Sequence, residues 1–177
     1  FIFIILAVFI SGLMVGRTPE FLGKKVEARE MKIAMIIALL HPFLILVGTA
    51  LAAALPQYTA DSLNNPGFHG LSEMLYEYTS SSANNGSGFE GLGDNTPWWN
   101  ISTGFVLILS RFLPIIGPVA IAGLLAQKKF VPEGDGTLKT DTATFGLMVF
   151  AVIAIVAALA FFPVLALGPI AEYFSLY

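Results

Sequence analysis

The chain has 177 residues, of which 56% are hydrophobic and 12% charged, with mean hydropathy +0.79 and a formal net charge of −3. Soluble domains carry about a quarter charged residues, so this composition excludes an ordinary soluble globular domain and predicts an all-α integral membrane protein. It has no cysteine, which excludes disulfides and thiolate metal sites, and no nucleic-acid partner is expected.

Four apolar segments carry the membrane signal: Phe1 to Gly16, Ile33 to Leu55, Ile101 to Ala126 and Ala143 to Gly168. The last three reach the roughly 20 residues that a bilayer crossing needs. The first begins abruptly at Phe1 without an initiator Met, as expected of a piece whose upstream part is absent. Residues 1–16 read as the end of a span. Within it Gly12 and Gly16 form a small-xxx-small pair, open both to close helix approach and to ordinary transmembrane glycine. Residues 17–32 form a loop that holds Arg17, Lys24, Lys25, Arg29 and Lys32, and the loop at residues 128–142 holds Lys128, Lys129 and Lys139. Pro56 to Trp99 has neither Lys nor Arg. The positive-inside rule therefore puts the first two loops in the cytoplasm and the third outside, together with the tail at residues 169–177. In the first loop Thr18 is placed as an N-cap and Pro19 at the first position of a short amphipathic helix running to Lys32.

The span Ile33 to Leu55 is interrupted by His41-Pro42, and His41 has two readings: a proton relay, or a hydrogen bond to a neighbouring helix. After an outer turn at Asn64-Asn65-Pro66-Gly67, residues 68–80 put Phe68, Leu71, Leu75 and Tyr78 on one face of a helix. At 1.5 Å per residue this helix is about 20 Å long, too short to span. Glu73 and Glu77 stand on its other face, either as paired carboxylates or as outer-vestibule charge. Residues 81–88, Ser-Ser-Ala-Asn-Asn-Gly-Ser-Gly, are uncharged and helix-breaking. Trp98 and Trp99 then mark the outer interface before the next span.

Span, half-helix, polar loop, span is the layout of a channel pore unit, here residues 33–127, in which loop carbonyls replace the water of a cation. Gly86 is the residue expected to need a positive φ in such a strand. Arg111, near the middle of the next span, has two readings: a salt bridge locking helices together, or a fixed charge below the filter. A membrane-embedded enzyme using His41, Glu73 or Glu77, and a purely structural subunit, are the rivals.

Thr79 to Phe89, with Gly16-Arg17-Thr18-Pro19-Glu20 upstream and Arg111 downstream, closely resembles the potassium-binding A-subunit family of bacterial Kdp potassium-transporting ATPases. The resemblance covers essentially the whole chain. It implies a potassium-channel-like fold of four fused pore units, with residues 1–16 ending the third, residues 33–127 forming the fourth, and residues 143–168 an additional transmembrane helix. It implies that Asn84, Asn85, Gly86 and Ser87 bind a potassium ion through their backbone carbonyls, and that Arg111 is the family's arginine. It also implies ATP hydrolysis on a separate P-type ATPase subunit, small accessory membrane subunits, and a bacterial inner (plasma) membrane location. The absence of a Walker-type glycine loop agrees with that division of labour.

Overall fold

The computed structural model describes residues 1–132, 134, 137–160 and 162–176. Helices α1 (Ile2–Met14), α2 (Ala28–Ala54), α3 (Pro56–Thr59), α4 (Phe68–Ala83), α5 (Pro97–Ala126), α6 (Ala143–Ala160) and α7 (Phe162–Leu176) follow one another, with strands β1 (Glu20–Phe21) and β2 (Lys24–Lys25) between α1 and α2. α2, α5 and α6 are long and apolar enough to cross a membrane. The chain divides into two compact units, Phe1–Leu39 with Leu113–Ala157 and Leu40–Phe112 with Ala158–Tyr177.

In the first unit, Ile5, Val8, Met31, Ala34, Ile121, Leu125, Phe145 and Val152 form one buried cluster. Gly117 lets α5 approach α2, since a Cβ there would lie 2.5 Å from Ile37. Gly16 is a helix stop rather than a helix–helix contact. Its φ is +67°, and the bonds from Arg17 N to Gly12 O (2.8 Å) and from Gly16 N to Leu13 O (3.3 Å) make a Schellman motif.

The expected helix from Pro19 to Lys32 is replaced by a β-hairpin pairing Glu20 with Lys25 and Phe21 with Lys24. Leu22 and Gly23 make the turn at φ +51° and +68°, the pattern of a type I′ hairpin, and a helix cannot continue through it. α2 starts only afterwards, with the Glu30 carboxylate accepting from Glu27 N at 2.8 Å, half of a capping box. Lys24 of this loop and Lys128, after α5, are engaged as well. Lys128 Nζ reaches Glu27 Oε2 (2.9 Å), Glu30 Oε2 (2.8 Å) and Lys25 O (2.9 Å), while Lys24 Nζ donates to Lys128 O. All three protons of Lys128 are thereby used.

In the second unit, Leu44, Ala52, Met74, Tyr78, Trp99 and Val106 pack α2, α4 and α5 together. Leu75 and Tyr78 are buried on α4 as the periodicity predicts, whereas Phe68 is exposed. Gly48 makes room for Tyr78: a Cβ on it would fall 2.4 Å from the ring. α2 is helical straight through Pro42. The span expected at residues 143–168 is helical at its described residues, in α6 to Ala160 and in α7 from Phe162, and α7 runs on to Leu176 through most of the segment expected as a tail, residues 169–177. α7 packs along α4, with Gly168 so close that a Cβ would lie 2.3 Å from Ser72 Oγ and 3.0 Å from Phe68 O, and His69 pairs with Glu172 at 3.5 Å.

Candidate functional site: the loop after α4

α4 runs three residues further than the sequence pattern predicts, taking in Ser81, Ser82 and Ala83. It ends at Asn84, whose φ is +57° and ψ +33°. Asn85 N donates to Ser80 O (3.3 Å) and Asn84 N to Ser81 O (3.2 Å), so this end too is a Schellman motif, with asparagine in the place that Gly16 takes at the end of α1. Asparagine tolerates the left-handed region less well than glycine, and here its side chain is used. Nδ2 donates to Ser110 Oγ (2.8 Å) and lies near Ser82 O (3.2 Å) and Ser81 O (3.3 Å), while Oδ1 accepts from Arg111 Nε (2.8 Å). The guanidinium can only donate, which fixes the amide orientation.

Beyond Asn84 the chain turns again. Asn85 Oδ1 accepts from Ser87 N and Ser87 Oγ, each at 2.9 Å, an Asx-turn with Gly86 at φ +74° at its centre. The positive φ is the one the sequence assigns to Gly86. Ser80 Oγ closes the network from the helix, donating to Asn85 Oδ1 (2.7 Å) or to Ser87 O, and Tyr76 OH meets Ser87 Oγ at 2.9 Å. Phe89 then lies edge-on to Tyr76 and His69, at centroid distances of 5.3 and 5.9 Å.

This bonding decides which carbonyls are available. Those of Ser80, Ser81 and Ser82 are occupied by Asn84 and Asn85, and that of Ser87 by Ser80 Oγ. Among the described residues, the carbonyls of Asn84, Asn85 and Gly86 accept no hydrogen bond. They follow directly on the C-terminus of a 16-residue helix, the negative end of its dipole. Such a place attracts a cation and offers it oxygen ligands.

A family profile described as "Potassium-transporting ATPase A subunit" matches residues 1–174. The chain belongs to that family. Proteins named "Potassium-transporting ATPase potassium-binding subunit" from Flavobacterium johnsoniae, Phocaeicola vulgatus and Geobacillus kaustophilus are 72%, 74% and 58% identical to it over 99%, 99% and 97% of its length. The chain spans about a third of the length of these curated relatives, namely 33%, 32% and 30%.

In this A-subunit segment Asn84, Asn85, Gly86 and Ser87 are contiguous with Arg111 through the Asn84 side chain. The residues of the rival enzyme reading have separate partners: His41 Nδ1 meets Ser82 Oγ (2.8 Å), Glu73 Oε1 accepts from Asn65 Nδ2 (2.7 Å), and Glu77 Oε1 from Ser81 Oγ (3.3 Å). Among the described residues no hydrogen bond or ion pair joins any two of the three, and no cluster of His, Cys, Asp or Glu has metal-binding geometry. Ser80 and Ser110 were missed as partners of the loop. Their signal in the sequence is a serine run at a helix end and a serine beside a buried-span arginine.

Proposed function

We propose that this chain supplies one pore unit of a potassium-binding and translocating subunit, with Asn84, Asn85, Gly86 and Ser87 as one strand of its selectivity filter. The observation that carries this reading is the set of unengaged carbonyls at Asn84, Asn85 and Gly86, following a helix C-terminus and held in place by side-chain bonds on either side. Backbone oxygens in such a strand replace the hydration shell of the ion, and the number and field of the dipoles favour potassium over sodium. Arg111, tied to the strand through Asn84, is a fixed positive charge beside it that limits how many cations the strand holds at once. The energy comes from ATP hydrolysed on a separate P-type ATPase chain, accompanied by small accessory subunits, in the bacterial plasma membrane. The half-helix enters from the outer face, in keeping with the lack of Lys and Arg from Pro56 to Trp99.

Anomalous scattering from the whole complex in rubidium tests the assignment. A rubidium peak beside the carbonyls of Asn85 and Gly86 is expected; peaks elsewhere in the complex with none at this loop would overturn it.

A further inference from the structure

Glu73 is fully buried, and while its Oε1 accepts from Asn65 Nδ2 at 2.7 Å, its Oε2 has no partner among the described residues. A buried carboxyl with one oxygen unmatched is a costly way to hold a loop unless the oxygen that is matched does something needed. What surrounds it is the far end of the loop just described. Asn64 N donates to Gly91 O (2.9 Å), Gly93 N to Ser62 O (2.7 Å), and Leu63 and Leu92 form an isolated antiparallel bridge. The segment entering α4 is thus stitched to the segment leaving the loop. Gly91 sits at φ +110°, and a Cβ on it would lie 2.9 Å from both Asn65 Nδ2 and Glu73 Oε1. Its backbone rests directly on the Asn65–Glu73 hydrogen bond.

Resting on the filter reading above, we propose that Glu73 and Asn65 form a clasp that positions the filter strand for cation discrimination. The strand has one end fixed by the cap at Asn84 and Asn85, on the last turn of α4. Gly91 fixes the other end against Glu73, on the same helix. The spacing of the carbonyls between these points follows from where the ends are held. Glu73 is a positioning residue: it touches no ion, and its effect passes through Gly91 to Phe89 and Ser87.

The test uses the whole ATPase complex carrying the full-length subunit, reading ATPase activity against potassium, rubidium and sodium. Glu73→Ala and Asn65→Ala are expected to raise the apparent KM for potassium about tenfold and to narrow the differences among cations, with maximal turnover within about twofold. Glu73→Gln keeps an acceptor for Asn65 and is expected to restore the wild-type KM values. The double substitution should be no worse than either single one, since both break one bond. Gly91→Ala presses on the clasp without removing a partner and should mimic Glu73→Ala. Unchanged KM values in assembled Glu73→Ala or Gly91→Ala complexes overturn the proposal, and so does loss of assembly in every variant, which would make the role purely structural. Gly86→Ser in the same assay separates the two claims. If it alters discrimination while Glu73→Ala does not, the clasp is wrong and the filter stands; if neither does, the filter reading has failed.

Discussion

Arg111 Nε donates to Asn84 Oδ1 at 2.8 Å, so the arginine in the middle of α5 and the residue that ends α4 share one hydrogen bond. Among the described residues Arg111 forms no salt bridge, and its Nε meets an amide acceptor beside the loop. Arg111→Lys keeps charge and a donor and should retain much of the transport, whereas Arg111→Met should alter potassium dependence in complexes that still assemble. Ion-stimulated ATPase assays on purified complexes check this, and loss of folded complex in both variants would contradict it.

Asn84 permits a separation of backbone from side chain. Asn84→Gly keeps the left-handed cap without steric cost but removes the contacts to Arg111 and Ser110; it should assemble normally and discriminate poorly. Asn84→Ala loses the same contacts and adds a strain of about 1 kcal/mol, so its complex should also melt earlier. Thermal unfolding in detergent, run beside cation titrations, distinguishes the two effects.

Close packing around α4 predicts a stability effect at two glycines. Gly48→Ala drives a methyl into the buried Tyr78 ring and Gly168→Ala drives one into Ser72 and the Phe68 carbonyl, each costing about 1–3 kcal/mol. Gly104→Ala on α5 meets nothing within 4 Å and should leave the melting temperature unchanged. Equal melting of all three would show that α4 is not held by these contacts.

On the basic loops, Lys128 is held above the ordinary lysine range. Burial works against its charge, but hydrogen bonds and attraction from Glu30 and Glu27 outweigh that. Because its folded pKa is raised, its contribution to stability is fully present below the unfolded value near ~10.4 and disappears as pH rises through the folded one. Lys128→Met strands the buried Glu30 and should cost about 3 kcal/mol. The difference from wild type should stay flat from about pH 6 to 9 and shrink only above ~10.4, which thermal unfolding against pH will show.

The long apolar helices, the short helix α4 and the polar loop after it were legible because each rests on a strong local signal: apolar length, a 3.6-residue period, or a run of Ser, Asn and Gly. What the sequence hid depended on single residues with two uses. Leu22-Gly23 reads as part of an amphipathic helix until its turn is seen. Gly16 and Asn84 end two helices by the same backbone motif, yet only asparagine carries a side chain that joins the loop to α5, and no periodicity reports that. Gly91 lies outside residues 81–88 and carries no signal in the sequence, yet its backbone packs against Asn65 and Glu73.

Gly86 provides the most direct test of the filter. Its φ of +74° is strained for any L side chain, although a Cβ there meets nothing within 4 Å, so Gly86→Ser acts on the backbone of the strand rather than on packing. Gly93→Ala, where the added methyl makes only an ordinary 3.5 Å contact with Ser62 O, is the control. In the assembled complex, titrated with potassium, rubidium and sodium, Gly86→Ser should lose discrimination among the three cations while Gly93→Ala keeps it. Wild-type potassium affinity and cation ratios in a normally assembled Gly86→Ser complex would contradict the assignment of this loop as the filter.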